Sequence, residues 1–494
     1  MTTLLRCSRP RPAGILATAL LAAASTILAG WSGLGDRTAS PAGAASSGPQ
    51  PANGWVQPVA VPVPIPGAGT ASLPTGSLAQ LDHNIDAWSK NVEANPLDFI
   101  SATNLGTLYQ ARARLTADLA DYHRALEAAR IAISIAPTQP GARLLEASVL
   151  FSLHDFAGAL DAADRLYRED PGQLGALATR ADAELELGDL DAARRDLESL
   201  AVTIGGPARA SIGGPALDIR LARLAAVGGD LAGALDLALR ARDAATLAGE
   251  EPGFYEFAAG EYARLAGDVD AARAGFEAAL RIRDDDLGAL LGLARVQAFS
   301  GEIEAAIGTL EAVVAIAPTP EAEALLGDLL ALRAADPARS KADRATDARA
   351  AEVAHGTVRL TRTLSEVAGS VFDRQLILFD LDHGAATDAT LDAARAAFLV
   401  RPDATGRDVV AWALHRLGRD GEAWAESQAV RSTGAADART LFHAGAIAAA
   451  MGDRRAALGL LARALALGPA LDPIERIEAQ ALLAEVAVGP PAPG

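Results

Sequence analysis

Small apolar positions and short polar turns alternate along this chain at a nearly fixed interval. A Gly-Asp-type turn followed by alanine five residues after the glycine recurs as Gly188-Asp189 with Ala193, Gly229-Asp230 with Ala234, Gly267-Asp268 with Ala272 and Gly301-Glu302 with Ala306. It returns as Gly418-Arg419-Asp420 with Ala423 and as Gly452-Asp453 with Ala457. Seven positions before each glycine stands a small residue: Ala181, Ala222, Gly260, Ala294, Ala411 and Gly445. Each unit reads as helix, turn, helix. Glycine supplies the positive φ that ends the first helix, and alanine or glycine after it lets the second helix approach closely. Phe276, Leu310 and Leu461 are the large residues expected to fill the core between units. Pro137, Pro171, Pro318, Pro402 and Pro469 close several units, since proline cannot continue a helix.

The glycines at 267 and 301 stand 34 residues apart, as do those at 384, 418 and 452. Self-similarity at such a period is the signature of a repeat architecture. These residues resemble the tetratricopeptide repeat family, with the best copies at 255–284, 287–318 and 438–469 and an overall span of about Asp98 to Pro469. The family's early first-helix tryptophan is missing, so single copies are degenerate. The resemblance implies an all-α, right-handed α-solenoid of helix-turn-helix repeats whose groove binds peptides or helices of other proteins.

The period breaks twice. Gly205-Gly206-Pro207 and Gly213-Gly214-Pro215 mark an insertion, and from Leu325 to Thr363 no glycine turn falls where one is due. The sequence therefore divides into an N-terminal array (81–320), an irregular helical spacer (321–365) and a C-terminal array with a capping helix (366–488), followed by a short tail (489–494). Ile474 to Val488 is the expected cap, because a solenoid end needs a polar outer face.

The N-terminus follows another pattern. Arg6, Arg9 and Arg11 precede an uncharged, Leu/Ala-rich run from Ala13 to Gly35, the layout of a signal peptide or signal-anchor helix over residues 1–35. The arginines favour an orientation with the repeats outside the cytoplasm. The small-residue site Ala42-Gly43-Ala44 lies well beyond the run, which favours retention as an anchor over cleavage and secretion. Residues 36–80 are a Pro/Ala/Gly/Ser-rich linker, with proline at alternate positions around Pro62-Val63-Pro64 holding the chain extended. The membrane is expected to matter only through this segment. The pattern in Trp412–Gly418 and Phe442–Gly452 resembles exported bacterial tetratricopeptide proteins.

Composition narrows the function. Half of the residues are hydrophobic but only 4% are aromatic, which suits closely packed helices. The net charge of −18 argues against nucleic acid as a partner, since phosphates need a basic groove. Cys7 is the single cysteine and precedes the apolar run, so an internal disulfide, a thiolate metal cluster or a cysteine nucleophile is excluded from the repeats.

Candidate chemistry is sparse. Leu376-Ile-Leu-Phe-Asp380-Leu-Asp382-His-Gly looks like the nucleophile motif of haloacid-dehalogenase-like phosphatases, which would make the chain a Mg-dependent phosphohydrolase. No lysine follows Lys341, no alternation of strands surrounds the motif, and Gly384 falls in phase with the later repeat turns, so it reads as a repeat helix. None of His83, His123, His154, His355, His383, His415 and His443 forms a metal-ligand pair by local spacing. Asp284-Asp285-Asp286 lacks the alternation of a calcium loop. No metal, cofactor or catalytic residue is expected. The family's groove is lined by first-helix residues, which project onto Phe254, Phe257, Glu261 and Arg264, then Leu291 and Arg295, and in the C-terminal array Trp412, His415, Arg416, Phe442 and His443. Trp412, His415 and Arg416 share one helical face. The chain is expected to be a non-catalytic scaffold or adaptor, with a passive spacer as the alternative.

Overall fold

The computed structural model describes residues 78–116, 118–204, 214–248, 252–367 and 374–488. The expected N-terminal signal, the linker up to residue 77, the insertion at 205–213 and the tail lie outside the described residues.

The described residues form 22 α-helices and one short 3-10 turn, and no strand occurs among them. A leading helix α1 (Leu78–Ala94) is followed by helix pairs. They are α2 (Phe99–Thr116) with α3 (Leu119–Ile135), α4 (Pro140–Ser152) with α5 (Phe156–Glu169), and α6 (Leu174–Glu186) with α7 (Leu190–Ile204). Next come α8 (Gly214–Val227) with α9 (Leu231–Ala248), α10 (Pro252–Ala266) with α11 (Val269–Ile282), and α12 (Leu287–Phe299) with α13 (Ile303–Ile316). The expected spacer region holds α14 (Pro320–Ala335) and the long α15 (Lys341–Val367), which pack on each other as a further pair. The C-terminal array comprises α16 (Arg374–Asp382) with α17 (Asp388–Val400), α18 (Ala404–Arg416) with α19 (Asp420–Ser432), and α20 (Ala438–Ala450) with α21 (Arg454–Ala466). Helix α22 (Pro473–Val488) ends it.

Each helix packs chiefly on its neighbour in sequence, and first helices also touch the first helix of the next pair, as in α4 with α6, α10 with α12 and α18 with α20. The chain is an all-α solenoid of tetratricopeptide-like pairs. No described helix is long and apolar enough to cross a membrane.

The turn chemistry explains why the Gly-Asp unit repeats. At Gly188, Gly229, Gly267 and Gly452 φ lies between 75° and 87°. The next residue's N–H then reaches back to a carbonyl of the first helix, as from Asp189 to Glu184 and from Asp268 to Ala263, at 2.9 Å in both. The same aspartates cap the second helix through Ala192 N (2.9 Å) and Ala271 N (3.0 Å), each cap being worth about 1 kcal/mol. Small residues set how closely the two helices cross. A Cβ at Gly275 would stand 2.6 Å from the Gly260 Cα, and one at Gly445 would stand 2.8 Å from the Leu461 side chain. Phe276 and Leu461 are fully buried, as the sequence pattern required of them.

Candidate functional site: the seam between the arrays

The two arrays touch along a regular seam. The within-pair turns of the N-terminal array meet the between-pair turns of the C-terminal array one after another, in the same direction along both. A Cβ at Gly188 would lie 2.9 Å from the Pro402 carbonyl oxygen, one at Gly229 would overlap the Gly434 carbonyl oxygen, and one at Gly267 would lie 3.1 Å from the Ala466 carbonyl oxygen. At the end of the series Gly468 abuts the Phe299 ring.

Arginines fasten the steps on either side of Gly229. Arg401 donates to the Glu186 carbonyl (3.2 Å), pairs with the Glu186 carboxylate and lies over the Phe156 ring. Arg264 donates to the Pro469 carbonyl at 2.9 Å. Arg295 bridges Glu321 of α14 (2.6 Å) and Asp472 of the C-terminal array (3.2 Å). Arg476 donates to the Phe299 carbonyl at 3.1 Å and covers its ring.

Asp472 is shared. Its other oxygen accepts from Arg439 at 2.9 Å, and Arg439 also binds Glu475 at 2.5 Å. Burial by itself would raise the Asp472 carboxyl, but Arg295 and Arg439 overcome it and hold the group below its ordinary value. For Glu475 burial wins over Arg439, and its carboxyl is raised. Glu184, at the end of α6, is pushed up to about 7 by burial and by the nearby Asp196 charge. A carboxyl raised in the folded state contributes most below its unfolded value and loses that contribution as pH rises through 7. Glu184→Gln should therefore raise the melting temperature at pH 8 by about 2 °C and leave it nearly unchanged at pH 4.5, read by circular dichroism.

The structure places the sequence-derived groove residues as follows. Phe257 is buried against Phe276, Leu291 belongs to the core, and Phe254 is half-buried beside Tyr255. Glu261 binds Arg264 at 2.6 Å. Trp412, Phe442 and His443 are all 0% exposed, so they do not form an open face. Trp412 donates its indole N–H to Asp382 (2.8 Å) and stacks on His443, whose Nδ1 lies 2.7 Å from Asp408. Arg416 covers the Trp412 ring and binds Glu478 of α22 at 2.7 Å, while His415 pairs with Asp420. The first-helix faces are thus filled by the chain itself. Their charged residues bind the segment from Pro469 to Glu478, contributed by the far end of the sequence.

The two aspartates of the phosphatase-like motif lie on α16 and not at a strand end. Asp380 pairs with Arg362, and Asp382 accepts from Trp412. Burial raises the Asp382 carboxyl, and the two side chains are committed to different neighbours.

One constellation escapes local spacing. Asp328 on α14, His355 on α15 and His383 just after α16 bring their ligand atoms within 4.8 Å of one another. The expectation of no metal rested on neighbouring positions in sequence, whereas these three are far apart in it. The signal was present only as two unassigned histidines.

Against this geometry the comparisons are specific in one place. Residues 263–329 match the family model of the tetratricopeptide repeat. That segment is similar to the tetratricopeptide repeat. The matched segment runs from the end of α10 through most of α14, and so includes Arg264, Arg295 and Asp328. Tetratricopeptide proteins typically mediate protein–protein interactions and are usually non-catalytic.

No curated protein matches the sequence. Among solved structures, a tetratricopeptide repeat protein from Parabacteroides merdae shares 14% identity, covering 55% of this chain and 93% of its own, with a TM-score of 0.38. Yeast Tom70 shares 12% identity over 83% of this chain and 93% of its own, with a TM-score of 0.35. The Cut9–Hcn1 hetero-tetramer of APC/C gives 14%, 83%, 93% and 0.29 in the same order. At these scores the neighbours add nothing to what the helix pairs establish.

Proposed function

We propose that this chain is a non-catalytic scaffold that binds other proteins outside the cytoplasm, held at the membrane or secreted through its N-terminal segment. The observation that carries the reading is the commitment of the buried charges along the first-helix faces. Arg264, Arg295, Arg416 and Arg439 bind carboxylates and carbonyls of this chain. The faces therefore have the chemistry of an acceptor for acidic, extended or helical segments. The segment around Asp472 is one such ligand, supplied in cis. A partner peptide or helix using the same face has to displace it. The export reading is supported by Arg6, Arg9, Arg11 and the uncharged run from Ala13 to Gly35.

The test is site-specific photo-crosslinking of the full-length protein in native envelopes, read by mass spectrometry. The photoreactive residue is placed at Glu261 in the seam or at Leu399, which is 80% exposed. One dominant protein partner captured at Glu261 is the expected result. Recovery of no specific partner from either position overturns the scaffold reading. Magnesium-dependent hydrolysis of a generic phosphate ester, lost in Asp380→Asn, overturns the non-catalytic one. Protease accessibility of the repeats in intact cells, as against lysed cells, tests the address.

A further inference from the structure

We propose that Asp328, His355 and His383 bind one divalent transition ion of the zinc class, which staples the last pair of the N-terminal stack to the first helix of the C-terminal one. The three residues come from α14, α15 and the turn just after α16. Asp328 Oδ1 stands 3.0 Å from His355 Nε2 and 2.8 Å from His383 Nε2. Donors bound at about 2.0–2.1 Å to one tetrahedral zinc lie roughly 3.3 Å apart, so side-chain shifts of a few tenths of an ångström admit the ion.

Three features favour a cation here. His383 Nδ1 is 2.7 Å from the Phe379 carbonyl oxygen, which can only accept, so this nitrogen carries the proton. In the neutral ring Nε2 then turns a lone pair toward the Asp328 carboxylate oxygen 2.8 Å away, so either a proton or a metal ion has to lie between them. Fixing a ligating imidazole through its other nitrogen is what outer-shell partners do in metal sites. Second, the Phe379 ring stacks on His383 at 4.1 Å and meets His355 edge-on at 5.4 Å, holding both imidazoles in place. Third, the residue before Asp328 is Gly327, where a Cβ would overlap the His355 ring. Any other residue there pushes that imidazole out of the cluster.

Donor type selects the ion. Two imidazole nitrogens and one carboxylate oxygen suit zinc-class ions, whereas calcium takes six to eight oxygens and magnesium keeps an octahedron of them. Asp328 is buried and the two histidines are only half-buried, which leaves a side on which water can complete the coordination. Asp328 belongs to the repeat segment matched by the family model, while His355 and His383 lie beyond it. The staple therefore ties a regular repeat to the part of the chain that departs from the period.

Untagged full-length protein, stripped with chelator, is titrated with Co²⁺ and followed by visible absorption and equilibrium dialysis. One Co²⁺ per chain is expected, displaced by Zn²⁺ and unaffected by excess Ca²⁺ or Mg²⁺. His355→Gln and His383→Gln should each weaken binding about tenfold or more, and His123→Gln, an exposed position on α3, should not. Gly327→Ala should weaken it as well, with all three ligands still present. Absence of stoichiometric Co²⁺ uptake by the wild-type chain overturns the proposal and leaves a hydrogen-bonded imidazolium–carboxylate cluster. Undiminished uptake by folded His355→Gln/His383→Gln does the same. Should that variant lose its helix content, the wild-type titration decides alone.

Discussion

Arg295→Ala is expected to destabilise the protein by about 3–5 kcal/mol and to loosen the C-terminal array before the rest unfolds. Arg295 binds a carboxylate on each side of the seam, Glu321 of α14 at 2.6 Å and Asp472 at 3.2 Å. Its truncation leaves two carboxylates facing each other in a largely buried place. Glu321 and Asp472 are 17% and 26% exposed, so solvent relieves little of that repulsion. Arg439 would still neutralise Asp472 from its far side. The loss therefore falls on the contact between the arrays more than on the C-terminal helices themselves. Arg165→Ala provides the contrast. Arg165 pairs with Asp161 on an exposed helix face, with both partners more than half exposed, and such pairs are worth at most about 0.5 kcal/mol. Hydrogen exchange separates the outcomes: amides of α18 to α22 should lose protection in Arg295→Ala, while those of α2 to α5 keep it. Equal loss in both regions would show that Arg295 stabilises the whole stack and not the seam.

The helix pairs were legible because each Gly-Asp turn is a local necessity, set by one residue at positive φ and one carboxylate that caps the next helix. Legibility failed where another residue does the same work. His154 occupies the turn between α4 and α5 with φ 61°, and Asp155 caps α5 through Gly158 at 2.9 Å, so a turn of this type is present without glycine. The break in period from Leu325 to Thr363 has a comparable cause. Asp336 and Pro337 turn the chain in place of glycine, and α14 and α15 still pair. Occupancy was not legible. Arg264 and Arg295 lie on the first helices α10 and α12. Their ligands come from 205 and 177 residues away, a separation at which no sequence period carries information. Trp412 and Phe442, offered as groove candidates, are buried and lie against the chain's own His443. The histidine–aspartate cluster was invisible for the same reason, since its members are 27 and 55 positions from Asp328.

Replacing the turn glycines one at a time should divide them into two classes that local geometry alone would not distinguish. Gly301 and Gly229 have nearly the same φ, 80° and 86°. Alanine at either costs the penalty of a left-handed L-residue, about 1–2 kcal/mol. At Gly301 nothing stands within 4 Å of the added methyl group, and the cost should end there. At Gly229 the methyl would overlap the Gly434 carbonyl oxygen, which is backbone and cannot rotate away. One array then has to move off the other, and Gly229→Ala should cost about 3–4 kcal/mol in total. Gly418→Ala and Gly452→Ala, also in open space, should behave like Gly301→Ala. Denaturant unfolding of the four variants measures this directly. The cross-array effect also predicts a double-mutant signature. Once Arg295→Ala has loosened the seam, Gly229→Ala should cost less than it does in the wild type, while Gly301→Ala should cost the same. Strict additivity at Gly229 would mean that the two contacts hold the arrays together independently, and that the seam is a set of separate latches and not one cooperative surface.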